Sequence, residues 1–142
     1  MRFCLDTDTC INAMKGNVPD MATKFRQFEP ADFGFPAIVF AELLLGALKS
    51  KTPARTRGIV EAFLAPFEMI PFDSMAAQEY AAVRHDLEVK GTPIGPNDLL
   101  IAATARARNL TLITHNIAEF KRVTGLATED WSALPRRKEN HG

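Results

Sequence analysis

Four polar side chains stand where their neighbours are apolar, and each is of a type that binds hard cations or handles protons. Asp6 ends the run Phe3-Cys4-Leu5 and is separated from a second acid, Asp8, by Thr7. Glu42 lies inside Ala37-Ile38-Val39-Phe40-Ala41-Glu42-Leu43-Leu44-Leu45-Gly46, with Ile38, Leu45 and Gly46 at helical spacing and no Lys or Arg three or four residues away. Asp98 follows Gly95-Pro96-Asn97 and precedes Leu99-Leu100-Ile101-Ala102-Ala103. Asn116 follows Leu112-Ile113-Thr114-His115, and Glu119 comes one helical turn later. A buried, unpaired carboxylate is costly or takes up a proton, so such placements need a reason. Each has a simple one by itself. Asp6 can cap the next helix, Asp98 can meet a helix dipole, and Glu42 can sit at the solvent edge. Four coincidences are less economical than one site, because parallel sheets gather such groups at the C-terminal edge of their strands. His115 is left out of that site, since a lone loop histidine is more often solvated or hydrogen-bonded.

The opening admits two chemistries. Asp6 could attack a phosphate ester as a nucleophile, or the acids could together hold a metal ion that activates water against a phosphodiester.

The elements that must position these groups alternate. Strands are expected over Arg2–Leu5, Phe33–Phe35, Phe67–Ile70, Leu110–Thr114 and Ala127–Glu129. Helices are expected over Thr9–Lys15, Asp20–Phe28, Ile38–Lys49, Pro53–Ala65, Ser74–Lys90 with Ser74 as its cap, and Pro96–Arg108. Alternation without hairpin signals implies one α/β domain, a parallel sheet of about five short strands with helices on both faces. The C-terminal residues, with Arg136-Arg137-Lys138, read as a loose basic tail.

Composition restricts the partners. Seventeen basic residues balance seventeen acidic ones, which argues against non-specific coating of DNA but leaves room for RNA held by a local basic rim. Cys4 and Cys10 form no redox or zinc pattern and read as small buried residues of a reducing compartment. No apolar run has the length of a membrane span, and Asp6 interrupts any leader-like stretch, so a cytoplasmic protein is expected.

The chain resembles the PIN-domain ribonucleases, specifically the VapC toxins of bacterial toxin–antitoxin pairs. Leu5-Asp6-Thr7, Ala41-Glu42-Leu43-Leu44-Leu45-Gly46, Gly91-Thr92-Pro93-Ile94-Gly95-Pro96-Asn97-Asp98-Leu99-Leu100-Ile101-Ala102-Ala103 and Leu112-Ile113-Thr114-His115-Asn116 with Glu119-Phe120 carry the likeness. It covers nearly the whole chain to Trp131, so residues 1–131 are expected to form the PIN domain and 132–142 the tail.

The resemblance implies a sheet in the order 3-2-1-4-5, setting the strand that ends in Asp6 beside the one that ends in Asn116. It implies Asp6, Glu42, Asp98 and Asn116 as catalytic residues, with Asp6 and Asp98 as metal ligands and Mg²⁺ or Mn²⁺ as cofactor. Thr7, Asp8, Thr114 and Glu119 take supporting places. Asp8 and His115 both depart from the family pattern, which usually has Asn at each. The implied reaction is hydrolysis of RNA, with tRNA as the suspected substrate and 5′-phosphate and 3′-hydroxyl products. The implied partners are a second copy of the chain and a VapB-type antitoxin whose C-terminal segment covers the site. Phe25, Phe28, Ile59 and Phe63 are candidates for its groove, with ordinary core packing as the competing explanation. Lys49, Lys51, Arg55, Arg84 and Lys121 are candidate phosphate contacts, although solvated helix faces explain most such residues.

Two alternatives stay open. Asp6-Thr7-Asp8 imitates the start of haloacid-dehalogenase phosphatases, with Asp6 as nucleophile, but that reading explains neither Glu42 nor the stretch around Asp98. A catalytically dead PIN-like module that binds RNA or protein would suit Asn116, where a fourth carboxylate is missing.

Overall fold

The computed structural model describes residues 1–132. Five parallel strands, β1 (Phe3–Leu5), β2 (Phe33–Pro36), β3 (Glu68–Ile70), β4 (Thr111–Ile113) and β5 (Thr128–Glu129), lie in the order β3-β2-β1-β4-β5. The helices are α1 (Thr7–Lys15), α2 (Pro19–Phe25), α3 (Ala37–Lys49), α4 (Pro53–Leu64), α5 (Ser74–Lys90), α6 (Pro96–Ala107) and the single turn α7 (Ile117–Phe120). Strand order therefore reverses at β1, whose neighbours are β2 on one side and β4 on the other. That is the point where an open α/β sheet leaves a crevice at its strand ends.

β1 is Phe-Cys-Leu with all three residues buried, as a central parallel strand requires. Burial pushes the Cys4 and Cys10 thiols far up in pKa, so both stay protonated and pack as small apolar groups. α1 begins at Thr7, two residues earlier than the sequence suggested. Asp6 has extended backbone and its carboxylate accepts the Thr9 N–H at 2.8 Å, which closes the first turn directly after the strand.

α5 is capped by Asp73 rather than Ser74, through a 3.0 Å bond from the Ala76 N–H. Ser74 is instead the first residue of the helix, and its exposed hydroxyl accepts from Gln78. The helix ends at Gly91 in the left-handed region (φ 67°), a turn that L side chains resist. α2 stops at Phe25, not Phe28. Residues 26–28 form a turn instead, a short 3-10 turn follows over Pro30–Asp32, and Phe28 stacks on Trp131 at 5.7 Å.

Trp131 is 1% exposed and also meets Phe3 and Phe25 edge-on at 5.1 and 5.2 Å. The chain after β5 thus folds back over the aromatic side of the core. The basic tail expected at 132–142 lies outside the described residues from 133 onward. Among the described residues no helix is long and apolar enough to cross a membrane.

Candidate active site

α6 starts with Gly95 at its N-cap and Pro96 in its first turn, so Asn97 and Asp98 emerge from the first turn toward the ends of β1 and β4. Asp98 is half-buried, and its carboxyl is pushed up to about 7. Burial is the largest cause, followed by the neighbouring charge and hydrogen bond of Glu119 and then the charges of Glu42 and Asp6. Four acids from α1's cap, α3, α6 and α7 therefore share one electrostatic environment. No cation enters into that balance.

Asp6 is 5% exposed, and burial raises its pKa too. The Thr9 N–H, which donates to its Oδ1 at 2.8 Å, and the neighbouring polar side chains of Thr114 and Thr9 oppose the rise without cancelling it.

Glu42 is not the unpaired carboxylate that its own helix suggests. Thr7 Oγ1 donates to its Oε1 at 2.6 Å, and Asn97 Nδ2 to its Oε2 at 3.3 Å. These donors come from 35 and 55 residues away, out of reach of any local reading. Nor is the apolar face around it buried, since Leu45 is 50% and Leu48 72% exposed.

Glu119 is divided in the same way. Its Oε1 accepts the Gly95 N–H at 2.9 Å, and its Oε2 takes a very short bond from Asn116 Nδ2. Thr114 Oγ1 accepts the Asn116 N–H at 3.0 Å, setting the turn that presents Asn116.

Of the residues singled out by sequence, Asp6, Glu42, Asp98, Asn116, Thr7, Thr114 and Glu119 thus meet at one edge of the sheet. Asp8 does not join their hydrogen bonds. It is exposed in the first turn of α1 and adds only the smallest contribution to the Asp6 shift.

Among the basic candidates, Arg84 is engaged by Glu88 and Tyr80 at 2.8 Å each. Lys49 is two helical turns beyond Glu42, about 10 Å along the axis, and Lys51 and Arg55 lie further along the chain on exposed positions. Lys121 is exposed at the end of α7, next to Glu119's turn. Ile59 lines a groove of about 360 Å³ between α1, α3 and α4 that has Glu42 and Lys15 on its walls. Phe25 and Phe63 line a second, of about 280 Å³, while Phe28 belongs to the aromatic cluster.

Two residues missed by sequence reasoning hold the site together. Asn97 orients Glu42, and its place after Pro96 in a helix's first turn was the available signal. Arg122 donates to the Pro93 carbonyl at 2.9 Å and so clips the loop that leads to Gly95. Nothing in the sequence around Arg122 marks it.

Among the described residues no three His, Cys, Asp or Glu groups already stand in metal-ligating geometry. The reason is visible in the bonds above: Asp6, Glu42 and Glu119 have turned oxygens toward protein donors.

The PIN domain family model matches residues 3–126. The chain belongs to the PIN-domain family. Within it, the tRNA(fMet)-specific endonuclease VapC of Salmonella typhimurium is 37% identical over 92% of this chain and 98% of its own length. The fold superposes on the crystal structure of DNA-bound VapBC from the same organism with a TM-score of 0.88, covering 92% of this chain and 98% of the other. VapBC2 of Rickettsia felis, bound to a DNA fragment from its promoter, gives 0.85 at 35% identity, with 92% and 99% covered. These relatives place the chain among the VapC ribonucleases, and they leave the phosphatase alternative without support.

Proposed function

We propose that this chain is a divalent-metal-dependent endoribonuclease, the toxin of a VapBC-type pair, and that its substrate is tRNA. The observation that carries the chemistry is the environment of Asp98, whose carboxyl is held near 7 by burial and by Glu119, Glu42 and Asp6. Such a concentration of negative charge is relieved by a cation. The donors are carboxylate and amide oxygens, with no Cys or His among them, which suits Mg²⁺ or Mn²⁺ rather than zinc. A bound ion supplies Lewis-acid activation of water and of the phosphate.

The chain's own residues do the rest. Asp6 and Asp98 hold the ion. Glu42, kept in place by Thr7 and Asn97, completes the acidic wall on the α3 side. Asn116 and Glu119 complete it on the β4 side, and Glu119 supplies the carboxylate that Asn116 lacks. Asp6 suits a ligand better than a nucleophile, because it is buried and engaged as the cap of α1. Residues 1–131 form the catalytic domain in this reading, with Lys121 as the phosphate contact nearest the site.

In this reading the antitoxin's C-terminal segment covers the groove between α1, α3 and α4, whose apolar lining and the Glu42 on its wall support that assignment. The antitoxin's presence in the VapBC complexes of similar proteins supports that partner. A homodimer and a cytoplasmic location complete the proposal.

The test is cleavage of purified tRNA by purified protein in Mn²⁺ or Mg²⁺ and in chelator. Metal-dependent cleavage that falls by orders of magnitude in Asp98→Asn supports the assignment. Equal cleavage in chelator, or an unaffected Asp98→Asn variant, rejects it.

A further inference from the structure

We propose that His115 is a specificity residue for RNA. Its ring, locked by Asp130 and Ser132, offers Nε2 as a hydrogen-bond acceptor to the 2′-hydroxyl of a nucleotide beside the scissile bond. The inference deepens the ribonuclease reading and rests on it.

The lock follows from counting hydrogens. His115 Nδ1 lies 3.0 Å from Asp130 Oδ2 and 2.9 Å from Ser132 Oγ. Ser132 has one hydroxyl hydrogen, and it is donated to Asp130 Oδ1 at 2.5 Å. The Ser132 N–H donates to the same oxygen at 2.9 Å. Burial works against ionisation of Asp130, yet the bonds from Ser132 and His115 hold its carboxyl below the ordinary range, so it is an acceptor. Nδ1 therefore faces two acceptors and must carry the proton itself. The neutral ring is left with a lone pair on Nε2. The His115 side chain is 69% exposed, and among the described residues no group bonds Nε2. A ring fixed at one nitrogen and open at the other is arranged for a donor from outside.

Position decides which donor. His115 stands between Thr114, whose Oγ1 accepts the Asn116 N–H at 3.0 Å, and Asn116, whose amide bonds Glu119. Through Glu119 and Gly95 the Asn116 side chain is tied to the start of α6, whereas His115 is tied to the residues that follow β5. The Thr114 N–H donates to the Glu129 carbonyl at 2.9 Å, so β4 and β5 are still paired at this edge. Neighbouring strands lie about 4.8 Å apart, which puts the imidazole on the β5 flank of the acidic cleft. A strand of RNA with one phosphate at the carboxylates lays an adjacent sugar along such a flank.

Phosphate and ring oxygens of that backbone are acceptors and are repelled by a lone pair. The 2′-hydroxyl is its donor, present once in every nucleotide and missing from DNA. Water is the nucleophile in the proposed reaction, so this hydroxyl is free to be read. Stacking of the imidazole on a base would also use its exposed face, but stacking has no need of a fixed tautomer.

The experiment uses the full chain in Mn²⁺ at pH 8 and a synthetic RNA that spans a site the protein cleaves. The RNA is made with ribose throughout, or with a single 2′-deoxy nucleotide at each of the two positions on either side of the bond. One of these substitutions should lower kcat/KM of wild type by about three- to tenfold, the size of one neutral hydrogen bond. His115→Ala and His115→Phe should lose the same factor on the all-ribose RNA and nothing further on that deoxy RNA. Asp130→Asn should behave like them with the ring still present, because an amide that donates to Nδ1 moves the ring proton to Nε2. Melting curves of the variants check that the fold is intact. Additive losses from His115→Ala and every deoxy substitution overturn the contact, and mark the ring as acting through the fold or on a phosphate. Wild-type rates in His115→Phe overturn it in favour of stacking, and a wild type indifferent to all four deoxy substitutions overturns it outright. Each of these leaves the ribonuclease reading standing. A wild-type chain that leaves RNA intact in Mn²⁺ overturns both.

Discussion

Glu119 Oε1 accepts the main-chain N–H of Gly95 at 2.9 Å, joining the turn after β4 to the N-terminus of α6 across 24 residues. The same carboxylate bonds Asn116 and raises the pKa of Asp98, so one side chain sets both geometry and charge. Substitution can separate the two. Glu119→Gln keeps an acceptor for Gly95 and, with the Asn116 amide turned over, donates to Asn116 Oδ1, but it removes the charge. It should fold normally, with a higher melting temperature in chelator at pH 8 and weaker Mn²⁺ binding. Glu119→Ala removes the clip as well and should lose stability of about 1 kcal/mol. Calorimetry with and without Mn²⁺ distinguishes them: identical behaviour of the two variants would show that the clip contributes nothing, and a Glu119→Gln protein indistinguishable from wild type would show that the charge plays no part.

Asp98 makes metal-free stability depend on pH in a defined direction. Its folded pKa, about 7, lies above the 3.8 of an ordinary aspartate, so the native state holds the proton more tightly than the unfolded chain. The resulting stabilisation is complete below about pH 4 and is lost as pH rises through 7. Asp6, shifted upward by burial, contributes with the same sign. In chelator, the melting temperature of wild type should fall between pH 5 and pH 8 more steeply than that of Asp98→Asn. The variant should be the more stable protein above pH 7, and Mn²⁺ should raise wild type more than the variant. Parallel pH profiles for the two proteins would remove Asp98 from the acidic cluster.

Asp6 has two duties, and they respond differently to substitution. As the cap of α1 it accepts the Thr9 N–H, a role that Asn fills about as well as Asp. As a buried acid among acids it carries the charge proposed for the metal. Asp6→Asn should therefore abolish cleavage while keeping the fold, whereas Asp6→Ala should also lose about 0.5–2 kcal/mol of stability through the missing cap. Urea denaturation of both variants, read beside cleavage, tests the separation. Equal stabilities would mean that the capping bond contributes nothing.

How much of this was legible beforehand depends on how far each interaction reaches along the chain. The alternation of short apolar runs with helical periodicity is local, and the five strands and the main helices follow from it. The strand order is a long-range property, and it came from the likeness to PIN domains before the sheet itself displayed it. Helix boundaries failed where capping decided them: Asp6 started α1 early, and Asp73 took the cap from Ser74. Glu42 stands unpaired in the sequence because its donors, Thr7 and Asn97, come from other elements. Arg122 was invisible because its partner is a carbonyl, which any residue carries.

The pairing of Thr7 with Glu42 gives the most direct test of that long-range wiring. Thr7 Oγ1 donates at 2.6 Å to a carboxylate oxygen, a short, charge-assisted bond in a partly buried setting. Val has nearly the shape of Thr, so Thr7→Val deletes the donor with little change in packing at the start of α1. A hydrogen bond to a charged group contributes about 1.5–3 kcal/mol, and the lower end applies at a half-buried position. If Glu42 works only when held, kcat should fall about tenfold, which corresponds to about 1.4 kcal/mol, with KM little changed. Thr7→Ser, which restores the hydroxyl, should recover most of the rate. Asn97→Ala, removing the weaker donor at 3.3 Å, should cost less than Thr7→Val. Wild-type kcat in a correctly folded Thr7→Val protein would show that Glu42 needs no such support, and that the contact belongs to the fold alone.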